Sequence, residues 1–488
     1  MILAISRAFF KHALILRNRE VMTKKAFKYD MQRGLGSCVA ALKNMQDAEK
    51  ANYLPLVLRG CSRDMAFDAQ CEGCRSVYLY ELITEFPDKA PFIDVIKKRL
   101  FHSIHSSSWE FQQDCELLAY FVSDGVRRAW KILMACYRFL LVLLDEYDPD
   151  QNRLFSERDN FQSLCVTLVS LCFDDHRRRE RIYQKIVRDL CILGEENPLL
   201  TVEHFDWFQY VSEESLGKRT IHKLLYRADA EDYMKTYAHL LEECQNRSTE
   251  RKKQKIEEPQ TAEEIYHLLK IGKRPGREWA LLLACGWMKR NKEQEVVRLA
   301  AYYKEEKDWD IRCQILRMLA KKECAWTLDL QQLLADSNSE HSELSEWAFT
   351  ALGYRRDGKV RAYALELLQK GTHTTEAVSM LAKNYEACDQ KILENAVKQI
   401  PITYWDAGWH GAFGDIIDLF EEPGKGKPKE LLLYMYQNTL CSFCREYVVK
   451  QMGRRRMLTY ELLEEMQYDS NKEIRKYARM KLSCMGAD

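Results

Sequence analysis

This chain contains two Cys-x-x-Cys pairs, and their residue type and spacing are typical of metal-binding or redox motifs. Cys71 and Cys74 form the first pair, and Cys441 and Cys444 form the second. Two such pairs side by side could hold a zinc ion through four thiolates, and one pair could act as a redox dithiol. An elongated stack of helices, however, would hold pairs so distant in sequence far apart. We therefore expect no metal site and interpret the second pair as small core thiols. Zinc at the first pair, and a metal or redox role at the second pair, are the open alternatives.

Charged residues crowd the segment around the first pair, directly before a predicted helix that begins near Ser76. Asp68, Glu72 and Arg75 flank Gly73 there and are candidate binding residues. This polar density could line a cleft for a small ligand, with Asp68 or Glu72 as an acid or base. The alternative is a helix cap followed by a turn, because Asp and Gly are expected at such positions.

Aromatic and polar residues also crowd the segment that follows Pro401. Its candidate binding residues are Tyr404, Trp405, Asp406, Trp409 and His410. Three glycines at positions 408, 411 and 414 predict that the helical pattern breaks here and leaves a loop. Loops on a rigid scaffold often bind, and these aromatic rings could stack on a base or anchor a protein partner. The alternative is that the rings are buried between adjacent helical repeats.

The sequence contains no established catalytic motif. A phosphate-binding P-loop, a dinucleotide-binding glycine motif, a nucleophile elbow and a His-Glu-x-x-His zinc motif are all absent. This favours a protein that is not an enzyme and has no cofactor.

Composition favours a soluble, helix-rich chain. Its 488 residues exceed the size at which one core keeps growing, and only 10 Pro and 20 Gly argue against turn-rich β architectures. The 74 basic and 73 acidic residues leave a net charge of +1, which provides no global field for nucleic acid or anionic membrane. Several basic clusters adjoin acidic residues and are interpreted as solvated faces, unless several of them fall on one wall.

Seventeen cysteines without a secretory signal indicate a reducing compartment, so we predict a cytoplasmic protein. Residues 1–21 are basic and apolar, and three interpretations stay open: an upstream extension before Met22, a targeting or membrane-surface helix, or a first structural helix. The most apolar stretch, residues 129–144, is too short to span a bilayer and is predicted to be a central buried helix.

Hydrophobic periodicity predicts helices throughout residues 28–246, which we assign to an N-terminal all-helical domain. A charged segment at 247–261 is the predicted linker, and 262–488 form a second domain that contains a repeat. The repeat is Asp/Asn-x-x-Val/Ile-Arg followed by apolar residues four and eight positions after the β-branched residue. Its three copies contain Asp308 and Arg312, Asp357 and Arg361, and Asn471 and Arg475. The Asp or Asn would cap a helix whose apolar stripe needs a neighbouring repeat to cover it.

This pattern resembles the second helix of HEAT-type repeats in the armadillo-like class. The resemblance implies an all-α fold, a right-handed α-solenoid of stacked antiparallel hairpins, with less regular repeats in the N-terminal half. It also implies structural roles for the six repeat residues, since the Asp and Arg of such repeats typically form ladders between neighbours.

The resemblance leads to a primary functional hypothesis and two alternatives. The first is a scaffold or adaptor that binds another protein through its concave surface and inter-repeat loops. The second resembles the HEAT-like alkylpurine DNA glycosylases, with Trp405, Trp409 and Asp406 as groove residues and nucleic acid as the partner. The third is a regulatory subunit that binds a small ligand near Asp68–Arg75. The oligomeric state stays open.

Overall fold

The computed structural model describes residues 22–105, 108–145, 155–196, 205–251, 261–270, 293–321, 324–404, 408–422 and 428–485. In these ranges the chain forms α-helices and short 3-10 turns without a β-strand, which confirms the predicted all-α class. No helix in these ranges is long and apolar enough to cross a membrane. Residues 1–21 lie outside the described ranges.

The chain divides into two compact units. The first unit contains Met1–Lys253, Leu440–Glu446 and Leu458–Asp488, and the second contains Gln254–Thr439 and Tyr447–Met457. The boundary at Lys253 falls within the charged segment expected to be a linker. The last copy of the repeat, with Asn471 and Arg475, belongs to the first unit, which differs from the domain boundaries expected from the sequence.

The helices up to residue 253 are numbered in chain order. They are Lys24–Arg33 (α1), Ser37–Lys43 (α2), Asp47–Lys50 (α3), Leu54–Cys61 (α4), Ala69–Glu72 (α5), Ser76–Thr84 (α6), Ala90–Ser103 (α7), Ser108–Ser123 (α8), Arg127–Asp145 (α9), Phe155–Ser170 (α10), His176–Glu196 (α11), Asp206–Leu216 (α12), Lys218–Tyr226 (α13) and Asp232–Arg251 (α14).

The remaining helices follow in the same numbering. They are Ala262–Lys270 (α15), Glu293–Glu305 (α16), Trp309–Leu319 (α17), Leu330–Asp336 (α18), Ser342–Gly353 (α19), Gly358–Lys370 (α20), Thr374–Lys383 (α21), Gln390–Val397 (α22), Gly408–Glu421 (α23), Lys429–Asn438 (α24), Ser442–Arg454 (α25), Tyr460–Met466 (α26) and Lys472–Met485 (α27).

Alternate helices of the first unit pack into two rows. In one row α6 packs against α8, α8 against α10, and α10 against α12. In the other row α7 packs against α9 and α9 against α11, and neighbours in sequence such as α8 and α9 pack across the rows. A continuous apolar core lies between the two rows, because each helix places its apolar residues on one side only.

Helix α9 shows this division within one element. Leu133, Cys136 and Leu140 are buried at spacings of three and four residues, whereas Lys131 and Phe139 are exposed. The prediction that residues 129–144 form a central buried helix is therefore wrong in one respect. High apolar content suggested burial on all sides, but the helical period leaves one side of α9 on the surface.

The C-terminal segments of the first unit pack against its N-terminal helices. Helix α26 packs against α2, and the Ser470 N–H donates to the Gly34 carbonyl at 2.8 Å. Gly34 has a φ of +72°, and a Cβ added at Gly36 would lie 1.8 Å from the Glu465 carbonyl oxygen. Glycine at both positions thus permits a backbone approach that a side chain would prevent.

The second unit has a similar alternating arrangement. Helices α17, α19, α21 and α23 pack one against the next, while α18, α20 and α22 pack against members of that row. This is the packing expected when successive helical hairpins bury each other's apolar stripes.

The predicted cap residues of the repeat lie at helix starts. Asp308, Asp357 and Asn471 each accept a hydrogen bond from the backbone N–H two residues later, at 2.9, 2.8 and 2.8 Å. Each side chain thereby satisfies one of the N–H groups that the first turn of a helix leaves without a partner.

The arginines of the repeat form ion pairs with carboxylates of another helix or turn. The pairs are Arg312 with Asp336 at 2.8 Å, Arg361 with Asp389 at 2.7 Å, and Arg475 with Glu81 at 2.6 Å. Asp336 and Asp389 follow their arginines by 24 and 28 residues, so both link one helical hairpin to the next. These contacts hold helices in register, in keeping with a structural role.

Candidate functional site

The Asp68–Arg75 segment forms a cap and a buried ion pair. Asp68 accepts from the Cys71 N–H at 3.2 Å and so caps the short helix α5. The Arg75 guanidinium pairs with the Glu72 carboxylate at 2.8 Å, and both side chains are almost completely buried. Burial alone raises the pKa of Glu72, but the Arg75 charge and hydrogen bonds to the carboxylate outweigh it and hold the pKa below its ordinary value.

The same ion pair joins distant segments of the first unit. Arg75 donates from Nη1 to the Gln32 carbonyl at 2.8 Å and from Nη2 to the Leu440 carbonyl at 2.6 Å. The Glu72 carboxylate accepts from the Ser442 N–H at 3.0 Å. Glu72 and Arg75 thus satisfy protein groups on three segments, and this arrangement provides a structural clamp rather than an open ligand cleft.

The two Cys-x-x-Cys segments are neighbours, contrary to the expectation that they lie far apart. The Glu72–Ser442 hydrogen bond links the first segment directly to the second across 370 residues. Cys71 and Cys441 are close enough for the second thiol to contribute to raising the pKa of the first, although the hydrogen bond between Cys71 and Asp68 has a larger effect. Cys74 points elsewhere, because its thiol donates to the Trp109 carbonyl at 3.5 Å. The expectation failed because it placed both pairs in a linear stack.

The second cysteine pair is a variant of the repeat motif. Cys441 precedes α25 as Asp357 precedes α20, and the Cys444 N–H donates to the Cys441 sulphur at 3.4 Å. Arg445 then follows Cys444 as Arg361 follows Val360, and it pairs with Asp469 at 2.8 Å. The spacing Cys-x-x-Cys-Arg contained this signal, which the sequence analysis missed because it accepted only Asp or Asn at the cap.

The segment after Pro401 differs from the expected loop. Gly408, Gly411 and Gly414 all lie within α23, so the glycines do not break the helix. Trp409 is fully buried, with its indole N–H donating to the Thr403 carbonyl at 2.9 Å.

Burial between helices, the second alternative for these aromatic residues, is therefore what the structure shows for Trp409. The His410 ring lies 5.5 Å from the Trp409 ring, and Tyr404 is 39% exposed. Trp405 and Asp406 lie outside the described residues.

A feature that was not predicted from the sequence is a separation of charge between the helices of the two rows in the first unit, counted over buried and exposed residues together. Helices α6, α8, α10 and α12 together contain nine Asp and Glu against one Arg, a net charge of −8. Helices α7, α9 and α11 contain thirteen Lys and Arg against six Asp and Glu, a net charge of +7. We call these the acidic row and the basic row.

A signal for the two rows exists in the sequence. From α7 to α12 the net charge of each helix alternates in sign: +2, −3, +3, −1, +2 and −3. In a two-row arrangement alternate helices share a row, so this alternation collects like charges on the same side. Charge summed over the whole chain conceals it.

The acidic row carries three of the large exposed aromatic side chains, and two of them stack. Trp207 and Tyr210 on α12 are 50% and 55% exposed, and their rings stack with centroids 5.8 Å apart. Trp109 at the start of α8 is 38% exposed. Acidic residues stand in the first turns of α8, α10 and α12, where they also complement the helix dipole.

Two carboxyl groups of α8 are shielded from solvent. Asp114 on α8 forms a bidentate ion pair with Arg99 on α7, with Nε–Oδ2 at 2.8 Å and Nη2–Oδ1 at 2.6 Å. Burial raises the pKa of Asp114 to about 7 despite this pair. Burial also raises the pKa of Glu116, which accepts hydrogen bonds from Ser76 and Gln112. These groups belong to the interior, and the exposed aromatic residues form the accessible part of the row.

No protein-family model matches this chain, and no curated protein matches it significantly. The candidate site therefore rests on the geometry of the two rows.

Proposed function

We propose that the protein is a non-enzymatic helical scaffold, of the HEAT-like α-solenoid type, that binds a protein partner through the acidic row. The observation that carries the proposal is the stacked pair of Trp207 and Tyr210, each at least half exposed. Trp and Tyr are enriched among the few residues that dominate binding energy at protein interfaces. Two such rings fixed against each other on one helix lose little conformational freedom when a partner covers them.

Charge narrows the class of partner. Asp206 and Glu214 are exposed on the same helix as the aromatic pair, and Asp159 is exposed on the neighbouring α10. The helices of the row, buried carboxyl groups included, have a net charge of −8. Such a surface repels nucleic acid and attracts a partner with Lys or Arg beside an apolar pocket. A basic protein segment fits this row.

The two alternative functions have less support. In the DNA glycosylase hypothesis Trp409 would contact a base, but its side chain is fully buried. In the small-ligand hypothesis Glu72 and Arg75 would face a ligand, but both are bound to each other and to the protein backbone. The alternating helix rows and the Arg–Asp pairs between hairpins support the HEAT-like scaffold.

The test is to compare two double variants of the full chain by quantitative affinity purification from the native cell. Trp207→Ala with Tyr210→Ala removes the stacked pair. Trp326→Ala with Tyr354→Ala is the matched control, since those side chains are 54% and 41% exposed in the second unit. We expect the wild type and the control to recover a stoichiometric partner. The first variant should lose it, because its affinity for that partner falls at least about tenfold.

Equal recovery by the wild type and both variants would contradict the proposal, as would a wild-type bait without any stoichiometric partner. Isothermal titration calorimetry then measures the affinity of the recombinant partner for each variant. This distinguishes a lower affinity from a lower expression level.

A further inference from the structure

We propose that the basic row is a second binding surface, which holds the phosphate backbone of a nucleic acid without reading its bases. The proposed surface is a basic patch of six exposed residues, two on each of three adjacent helices. They are Lys97 and Lys98 on α7, Arg127 and Lys131 on α9, and Arg177 and Arg181 on α11.

Contacts of the residues beside them bring together the parts of α7, α9 and α11 that contain the six residues. Arg128, beside Arg127, forms an ion pair with Asp94 of α7, one turn before Lys97. Trp130, beside Lys131, packs against Phe173 with ring centroids 5.2 Å apart. Arg178, beside Arg177, lies over the same Phe173 ring at 5.3 Å. The first turns of α9 and α11 are therefore joined, and α7 is joined to the same end of α9.

Within the described part of the chain none of the six forms an ion pair, whereas the neighbouring Arg128 and Lys185 pair with Asp94 and Asp189. Arg127 and Arg177 also stand in first turns, where α9 and α11 have no acidic residue. A cation there opposes the helix dipole, so these residues lower helix stability slightly. These cations are therefore placed where an external anion can bind them.

The composition of the patch favours nucleic acid over a membrane surface. A bilayer takes up exposed apolar side chains at the level of the cations. On α9 the large exposed apolar residues are Phe139 and Val142, two or more turns beyond Lys131, and on α11 Ile192 lies three turns beyond Arg181. Phe101, 36% exposed and one turn after Lys97, is the large exposed apolar side chain nearest to the patch in sequence.

The acidic row determines which side of the unit a nucleic acid approaches. Because the other row of the same unit has a net charge of −8, a polyanion is attracted to one side and repelled from the other. The patch offers long, flexible cations on helix sides rather than a helix inserted into a groove, which suits phosphate contacts without base recognition.

The experiment is fluorescence anisotropy of a labelled 20-base-pair DNA duplex titrated with the full chain at several salt concentrations. If most of the patch contacts phosphates, the slope of log K against log salt is on the order of −4 to −5. The test variant is Lys131→Glu with Arg181→Glu. It weakens binding by at least about tenfold at 100 mM salt and makes the slope shallower by about 2.

The matched control is Arg219→Glu with Lys223→Glu on α13, which changes the net charge equally at two other exposed cations of the first unit. We expect its affinity to stay within about twofold of the wild type. Since all four substituted side chains are exposed, far-UV circular dichroism and the urea midpoint verify that both variants fold.

Three outcomes would overturn the proposal. One is absence of duplex binding at 50 mM salt, and another is equal loss of affinity in both double variants, which would indicate a response to net charge only. The third is binding to vesicles containing 30% phosphatidylserine without binding to the duplex, which would assign the patch to a membrane surface. The Trp207 and Tyr210 variant retains duplex binding, so this test is independent of the protein-partner test.

Discussion

The acidic and basic rows of the first unit share one core but use their charges differently. In the acidic row, Glu110, Glu157 and Asp206 stand in first turns and Asp114 and Glu116 accept hydrogen bonds from neighbouring side chains. In the basic row, six exposed cations have no ionic partner in the described part of the chain. These five acidic residues therefore contribute to the fold, whereas the six exposed cations of the basic row remain available for binding.

The distinction between the rows can be tested most directly at Asp114, whose carboxylate on the acidic row pairs with Arg99 on the basic row. At a pH above the folded pKa of Asp114, which is about 7, replacing Asp114 with Ala leaves a buried guanidinium without its counterion, and we expect the unfolding free energy to fall by about 3–5 kcal/mol. Urea unfolding followed by circular dichroism measures this change. The double variant Arg99→Met with Asp114→Leu recovers most of the loss, because it removes both charges. A loss below about 1 kcal/mol for the single variant would show that the pair contributes little.

The next largest expected effect is that of pH on the unfolding free energy, because Asp114 of the acidic row is a buried carboxyl group that titrates. The pKa of Asp114 is raised by burial to about 7 in the folded protein, above its ordinary value. The folded state therefore holds this proton more tightly than the unfolded chain, and the unfolding free energy falls as the pH rises from about 4 to about 7.

Between pH 5 and pH 7.5 we expect this decrease to be on the order of 2 kcal/mol, measured by urea titrations at fixed ionic strength. Asp114→Asn, although less stable at every pH, should show a shallower dependence. An unfolding free energy that increases over this range would refute the assignment.

The smallest effect is expected in the basic row. Arg128 and Asp94 form an ion pair whose side chains are 50% and 58% exposed. Because water and salt screen such a pair, Arg128→Ala should change the unfolding free energy by less than about 1 kcal/mol. Thermal unfolding of this variant beside the wild type provides the measurement. A larger loss would mean that exposed basic-row charges also stabilise the fold, which would weaken the distinction between the rows.

Local features of this fold were predictable from sequence because a few adjacent residues determine them. Asp308 and Asp357 act as caps through hydrogen bonds to N–H groups only two residues away. The all-helical class follows equally from local periodicity. The partners Asp336 and Asp389 could not be assigned, because they lie in turns or helices whose distance from the arginines depends on hairpin length.

Features that depend on long-range packing were predicted poorly. Trp409 is buried because α23 continues through its glycines, and only the neighbouring helices supply the packing that makes this favourable. The contact between Glu72 and Ser442 spans 370 residues, and no spacing within either segment indicates it. The charged rows are intermediate, since the alternation of helix charge is visible in sequence but acquires meaning only once alternate helices are known to share a row.

The pairing of early and late segments within the first unit has a consequence for synthesis. Arg475 pairs with Glu81 across 394 residues, and Arg445 donates to the Gly34 carbonyl across 411. A ribosome that adds about 5–20 residues per second releases the late segments roughly 20–80 s after the early ones. Throughout that interval α2 and α6 lack their final neighbours, because most of the second unit is translated before the late segments. The unit that emerges first is thus the last to be completed, and nascent chains pass through a stage in which its N-terminal helices lack their late-synthesised partners.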